Sequence, residues 1–174
     1  PGYSASMEPA IQNLSDGRIF CLLRTMTGSI YYSVSGDSGE TWSGPDALCY
    51  APGGAEVHHP NSPCPLFRLE DGRYLLFYHN NDGTANEGTG PGDVRSRGPV
   101  FVSVGREIDN PGGQPVAFSD PKPFYDNGGK SGLALYGSFF EHESVRYWWY
   151  PDAMRFLLGK VVTDELLNDP GVPS

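Results

Sequence analysis

The chain has 174 residues and a net charge of −9, from 12 Lys and Arg against 21 Asp and Glu. That balance opposes nucleic-acid binding, because a phosphate backbone calls for a basic stripe and only Arg95 and Arg97 approach one. No apolar run reaches the length of a membrane span, so neither nucleic acid nor a membrane is an expected partner. The 23 Gly and 16 Pro, beside 10 Tyr and 9 Phe, predict many short strands broken by turns, an all-β chain. Opening at Pro1 with no signal-peptide pattern, the sequence leaves localisation undetermined, a secreted or periplasmic setting included.

In chain order, the first strands fall near 8–14, 18–24 and 28–34, with a short outer strand around 46–50. A second group reads 62–69, 73–79, 99–104 and roughly 114–118. A third reads 120–125, 132–140, 145–150 and 155–161, and a helical turn over Thr163 to Leu167 stops at Asp169-Pro170. Between 79 and 99, Asn80 to Gly98 is rich in Gly and acidic residues, and reads as a surface loop or a functional rim loop. Cys21 lies in the apolar run Ile19 to Leu23 and reads as a buried thiol. Cys49 and Cys64 could pair, although three cysteines argue against a disulfide framework. No zinc-ligand spacing occurs, and no metal or other cofactor is expected.

The chain repeats internally. Asn13-Leu14-Ser15-Asp16-Gly17-Arg18 precedes one apolar strand and Arg68-Leu69-Glu70-Asp71-Gly72-Arg73 precedes another. Phe124-Tyr125-Asp126-Asn127-Gly128-Gly129 precedes Leu133-Ala134-Leu135-Tyr136. Asp16, Asp71 and Asp126 follow one another at intervals of 55 residues. Each unit puts an Asp-Gly or Asp-Asn-Gly turn between two strands, where Gly supplies the positive φ of a tight hairpin. A unit of this size holds four short strands, one blade of a β-propeller. Three four-stranded blades, roughly 5–58, 59–118 and 119–167, fill residues 1–174 as a single partial propeller.

The segment Ser35-Gly36-Asp37-Ser38-Gly39-Glu40-Thr41-Trp42 fits Ser-x-Asp-x-Gly-x-Thr-Trp at every fixed position. It resembles the Asp box of sialidases and related BNR-repeat proteins. In that box Ser35, Asp37, Gly39, Thr41 and Trp42 are structural: the Asp accepts turn N–H groups, the Gly takes a strained φ, and the Trp packs between strands. The resemblance implies a six-bladed sialidase-like propeller, of which this chain is the C-terminal half. It implies a glycoside hydrolase, exo-acting on a glycan, with an anionic sugar among its substrates. The alternative is a non-catalytic glycan-binding or scaffold propeller. Either a second copy or an N-terminal half would complete the ring, since three blades leave sheet faces uncovered.

First strands of blades line a propeller's channel, and two of them open with an acid before proline, Met7-Glu8-Pro9 and Ser119-Asp120-Pro121. The resemblance maps Glu8 to the sialidase Glu that activates a catalytic tyrosine, and Arg24 to the arginines that clamp a sugar carboxylate. Arg97 resembles a second such arginine, with Arg95 as the competing candidate. His58 and His79 could reach the same mouth as substrate contacts. Eight residues before the third Asp turn, where the nucleophilic tyrosine is expected, stands Phe118; Tyr125 and Tyr136 lie off that phase of the repeat. Glu8 and Asp120 are therefore the expected acidic pair. The segment around Asp120, with Trp149-Tyr150-Pro151-Asp152, resembles bacterial sialidase-like proteins.

Overall fold

The computed structural model describes residues 6–128, 133, 136–152 and 156–168, without the Asp152 side chain. Three antiparallel sheets follow one another along the chain. The first runs β1 (Met7–Asn13), β2 (Ile19–Arg24), β3 (Tyr31–Ser35) and β4 (Asp46–Ala47), in that spatial order. The second runs β5 (Leu66–Arg68), β6 (Tyr74–Tyr78), β7 (Val100–Glu107) and β8 (Val116–Phe118), with β9 (Lys122–Tyr125) also paired to β7. The third contains β10 (Ser138–His142), β11 (Val145–Asp152) and β12 (Phe156–Val161), followed by a single helical turn, α1 (Asp164–Leu167).

The two Asp-Gly-Arg turns are built alike. Leu14 N–H donates to the Arg18 carbonyl at 2.9 Å, as Leu69 N–H does to Arg73 at 2.8 Å. In each, the Asp carboxylate accepts from the backbone and side chain of the Arg two residues on. Gly17 and Gly72 both sit at φ +88°, which a side chain would strain. The turns thus cap the β1–β2 and β5–β6 hairpins at matching points.

The third Asp turn is different. Asp126 follows β9, which lies against β7 in the second sheet rather than opening the third. β8 and β9 together form one outer edge, joined through Ser119-Asp120-Pro121. Ser119 ties this junction down, its N–H donating to the Val104 carbonyl at 2.8 Å and its hydroxyl accepting from Val104 N–H at 3.0 Å. The hairpin equivalent to the first two is the β10–β11 turn, where Glu143 and Ser144 take φ 49° and 66°. That is the type I′ geometry, reached here without a glycine. Gly129, Ala134, Leu135 and the Asp169-Pro170 stop lie outside the described residues.

Two cores separate the three sheets. Phe20, Leu22, Ile30 and Tyr32 meet Tyr74, Leu76, Tyr78 and Phe118 between the first and second. Leu75, Phe77, Val100 and Val102 meet Phe124, Trp148 and Tyr150 between the second and third. β6 is buried on both faces, which is why it reads Tyr-Leu-Leu-Phe-Tyr without alternation. Phe77 stacks on Trp148 at 4.9 Å and meets Phe124 edge-on at 5.1 Å, the geometry aromatic quadrupoles favour. All three cysteines are free thiols.

Candidate active site

The site forms where the starts of β1 and β10 meet the end of β2. In β1 the pairing steps from Met7↔Arg24 to Ala10↔Leu22, so one extra residue is inserted on the β1 side. This bulge puts Glu8 at φ 47°, a backbone state costly for a non-glycine residue, and turns its carboxylate out of the ladder. On β2, Phe20, Leu22 and Arg24 share one face. The first two enter the core, and the last carries its guanidinium, 8% exposed, to the mouth.

Tyr136 arrives from the third sheet. Leu133 is buried in the second core, and its N–H donates to the Arg97 carbonyl at 3.3 Å. Gly137 lies flat on Trp148: a Cβ there would fall 2.3 Å from the indole nitrogen. Between these anchors Tyr136 donates its hydroxyl hydrogen to Glu8 Oε1 at 2.7 Å. Arg24 Nη1 donates to Glu8 Oε2 and lies 3.4 Å from the Tyr136 oxygen. Burial alone would raise the Glu8 carboxyl, but hydrogen bonds from Tyr136 and Arg24 and the charges of Arg24 and Arg97 hold it below its ordinary value.

Arg97 leaves the 80–98 loop beside this group. Its Nε and Nη2 donate to the Asn61 carbonyl at 3.2 and 2.7 Å. Arg24 reaches the same carbonyl through Nη2 at 3.2 Å and the Asn61 Oδ1 through Nε at 2.7 Å. Among the described residues no carboxylate forms an ion pair with Arg97. Arg95 points elsewhere: it is exposed and bound to Asp93 at 2.5 Å. Below Glu8 and Tyr136 a cleft of about 350 Å³ continues between Pro9, Pro63, Leu66 and Phe67.

Among the described residues, none of the other expected ones is hydrogen-bonded to Glu8, Tyr136 or Arg24. Asp120 is exposed in the junction between β8 and β9, where its charge acts on Tyr50 and Tyr78, and it is not among the groups bonded to Glu8. Phe118 packs in the first core against Gly105. His58 is exposed and lies 3.5 Å from the Ser29 hydroxyl. His79 is 1% exposed and spends both ring nitrogens internally, Nδ1 donating to the Pro99 carbonyl at 3.1 Å and Nε2 accepting from the Ser62 hydroxyl at 3.2 Å. It stacks on His59 at 5.4 Å. Desolvation pushes His79 down to about 4 and His59 to about 3, leaving both neutral.

The segment from Ser35 to Trp42 makes a closed turn beyond β3. Asp37 accepts from Ser35 Oγ at 2.8 Å, Thr41 N–H at 2.8 Å and Thr41 Oγ1 at 2.5 Å. Gly39 sits at φ +92°, and Trp42 Nε1 donates to its carbonyl at 3.1 Å. Trp42 is 41% exposed, lying over the turn rather than buried between strands. The hydrogen bonds, Thr41's side chain first, hold Asp37 below its usual range, in keeping with a structural carboxylate.

The fold defines an all-β, β-propeller-like protein, and its likenesses place it in the sialidase/BNR superfamily. Residues 2–122 match the model of the BNR repeat-like domain, and the chain belongs to that family. Among solved structures it is similar to the intramolecular trans-sialidase from Ruminococcus gnavus, crystallised in complex with oseltamivir carboxylate. The two share 20% sequence identity at a TM-score of 0.64, over 97% of this chain and 35% of the other. The chain therefore spans about a third of that relative's length. No curated protein matches it.

Proposed function

We propose that the chain carries half of a sialidase-like glycosidase site, with Tyr136 as nucleophile and Glu8 as its base. The observation that carries this reading is the 2.7 Å hydrogen bond from the Tyr136 hydroxyl to Glu8 Oε1, with Arg24 beside both. Glu8, held ionised, takes the phenolic proton as the oxygen attacks the anomeric carbon. Arg24 stabilises negative charge developing on that oxygen. Arg97, paired with no carboxylate among the described residues, and Arg24 receive an anionic group on the sugar. A second carboxylic acid protonates the leaving group; no described residue is bonded near Tyr136 in that role, and we assign it to a further segment of the folded protein.

In this reading the Ser35–Trp42 turn is an Asp box, and the three sheets are blades of a six-bladed ring. The face of the third sheet turned from the second exposes Phe140, Val145, Trp149, Leu157 and Val161. That row supports a further sheet stacking there, from an N-terminal half or a second copy. An aryl N-acetylneuraminide whose phenolate departs without protonation tests the chemistry. The protein is expected to hydrolyse it, and Tyr136→Phe to abolish turnover while still binding the sugar. Binding without turnover in the unmodified protein would instead favour a glycan-binding propeller.

A further inference from the structure

Two guanidinium groups rarely lie side by side without an anion between them, because their charges repel. Here Arg24 and Arg97 both donate to one oxygen, the Asn61 backbone carbonyl, through three N–H groups at 2.7 to 3.2 Å. The Asn61 carboxamide adds a fourth contact, to Arg24 Nε at 2.7 Å. Asn61 is itself tied to the 80–98 loop, its N–H donating to the Pro91 carbonyl at 2.6 Å. One residue in the link between the first and second sheets thus orients an arginine from each.

We infer that Asn61 is the positioning residue of the arginine pair, a neutral bridge that aligns Arg24 and Arg97 without cancelling their charge and so selects a carboxylate-bearing ligand. The inference rests on the proposed reading of these arginines as an anion clamp. A neutral group matters here. Glu8 already offsets one positive charge; a second carboxylate at position 61 would close an internal ion-pair cluster and leave no net charge for a ligand. An amide oxygen accepts the same Arg24 Nε–H, fixes the same orientation and adds no negative charge beside Arg97. Burial and the neighbouring Arg24 lower the Arg97 pKa by more than Tyr136 and Glu8 raise it, the direction expected for a cation with no ion-paired counter-ion among the described residues. A ligand carboxylate would supply that counter-ion.

The test compares binding of N-acetylneuraminic acid with its methyl ester, which keeps the sugar and removes the charge. The unmodified protein is expected to prefer the acid by at least tenfold. Asn61→Asp is expected to erase that preference while the melting temperature holds or rises, since the new carboxylate pairs with Arg24 and puts a negative charge beside Arg97. A merely structural role would lower the melting temperature and weaken acid and ester alike, leaving the ratio intact. An unchanged preference in Asn61→Asp would overturn the role of Asn61 and leave the clamp standing. No preference in the unmodified protein would overturn both. Should Asn61→Asp fail to fold, Asn61→Ala decides: it keeps the shared carbonyl and frees Arg24 Nε, and is expected to reduce the preference several-fold, whereas full retention would overturn the inference.

Discussion

The hydroxyl of Tyr136 donates to the carboxylate of Glu8 at 2.7 Å across a sequence separation of 128 residues. Each member is held from behind by the fold. Glu8 sits on a bulge at φ 47°, and Tyr136 lies between the buried Leu133 and a glycine pressed on Trp148. Such positioning from two separate sheets is what a nucleophile and its base require.

Because the two act as a unit, their substitutions should not add. Glu8→Gln is expected to lower kcat/KM for an aryl sialoside by roughly 10²–10⁴-fold. Tyr136→Phe should cost at least as much, and the double variant little more than the worse single one. Additive losses in a double-mutant cycle would argue that the hydroxyl and carboxylate work independently.

The acid limb of the pH profile should report Glu8. Its folded pKa is lowered, so its ionised form is present above the ordinary value of 4.5 and is lost only as pH falls through the lower folded value. The kcat/KM profile is therefore expected to hold to below pH 4.5, and Glu8→Gln to remove that limb together with most of the rate. A limb above pH 5 would contradict the charge arrangement around Glu8.

The buried pair His59 and His79 should make stability fall in mild acid. Both are kept neutral in the fold, at about 3 and about 4, against an ordinary 6.5 once unfolded. Between 6.5 and 4 the unfolded chain binds more protons, so stability rises with pH there, by about 1.4 kcal/mol per pH unit for each fully titrating histidine. Thermal unfolding at pH 7 and pH 5 is expected to show a clear drop in Tm. A flat Tm over that window would show that the pair does not remain neutral.

Gly137→Ala tests how Tyr136 is placed. The added Cβ meets the indole nitrogen of Trp148 at 2.3 Å and must move one of them, at a cost of about 1–3 kcal/mol. The displaced Tyr136 should lower kcat more than KM. Gly36→Ala, where nothing lies within 4 Å and φ is unstrained, should change neither. Equal behaviour of the two variants would contradict the anchoring of Tyr136 through Gly137.

Asp37→Ala should separate the structural acid from the working one. Loss of its three accepted hydrogen bonds is expected to lower Tm by a few degrees and leave kcat unchanged. A large fall in kcat with Tm intact would place Asp37 in the chemistry.

Much of this was legible in the sequence, and the gap has a physical cause. Asp16-Gly17 and Asp71-Gly72 marked equivalent hairpins because each needs a positive φ that glycine supplies cheaply. The same offset of 55 residues relates Arg24 to His79, the end of β2 to the residue after β6, yet one carries a charge to the mouth and the other is sealed in the core. Asp126-Asn127-Gly128 kept the interval but belongs to a turn after β9, while the true third hairpin uses Glu143 and Ser144. Counting back eight residues from Asp126 leads to Phe118, buried between sheets, whereas Tyr136 stands seven residues before Glu143. The role of Asn61 left no trace, because its main contact is a backbone carbonyl, which every residue possesses.

The central claim is that Tyr136 forms the covalent bond to the sugar, and covalent trapping tests it most directly. Incubation with 2,3-difluoro-N-acetylneuraminic acid, followed by peptide mapping, is expected to place one glycosyl adduct on Tyr136 and none in Tyr136→Phe. An adduct on another residue, or turnover that survives in Tyr136→Phe, would contradict it.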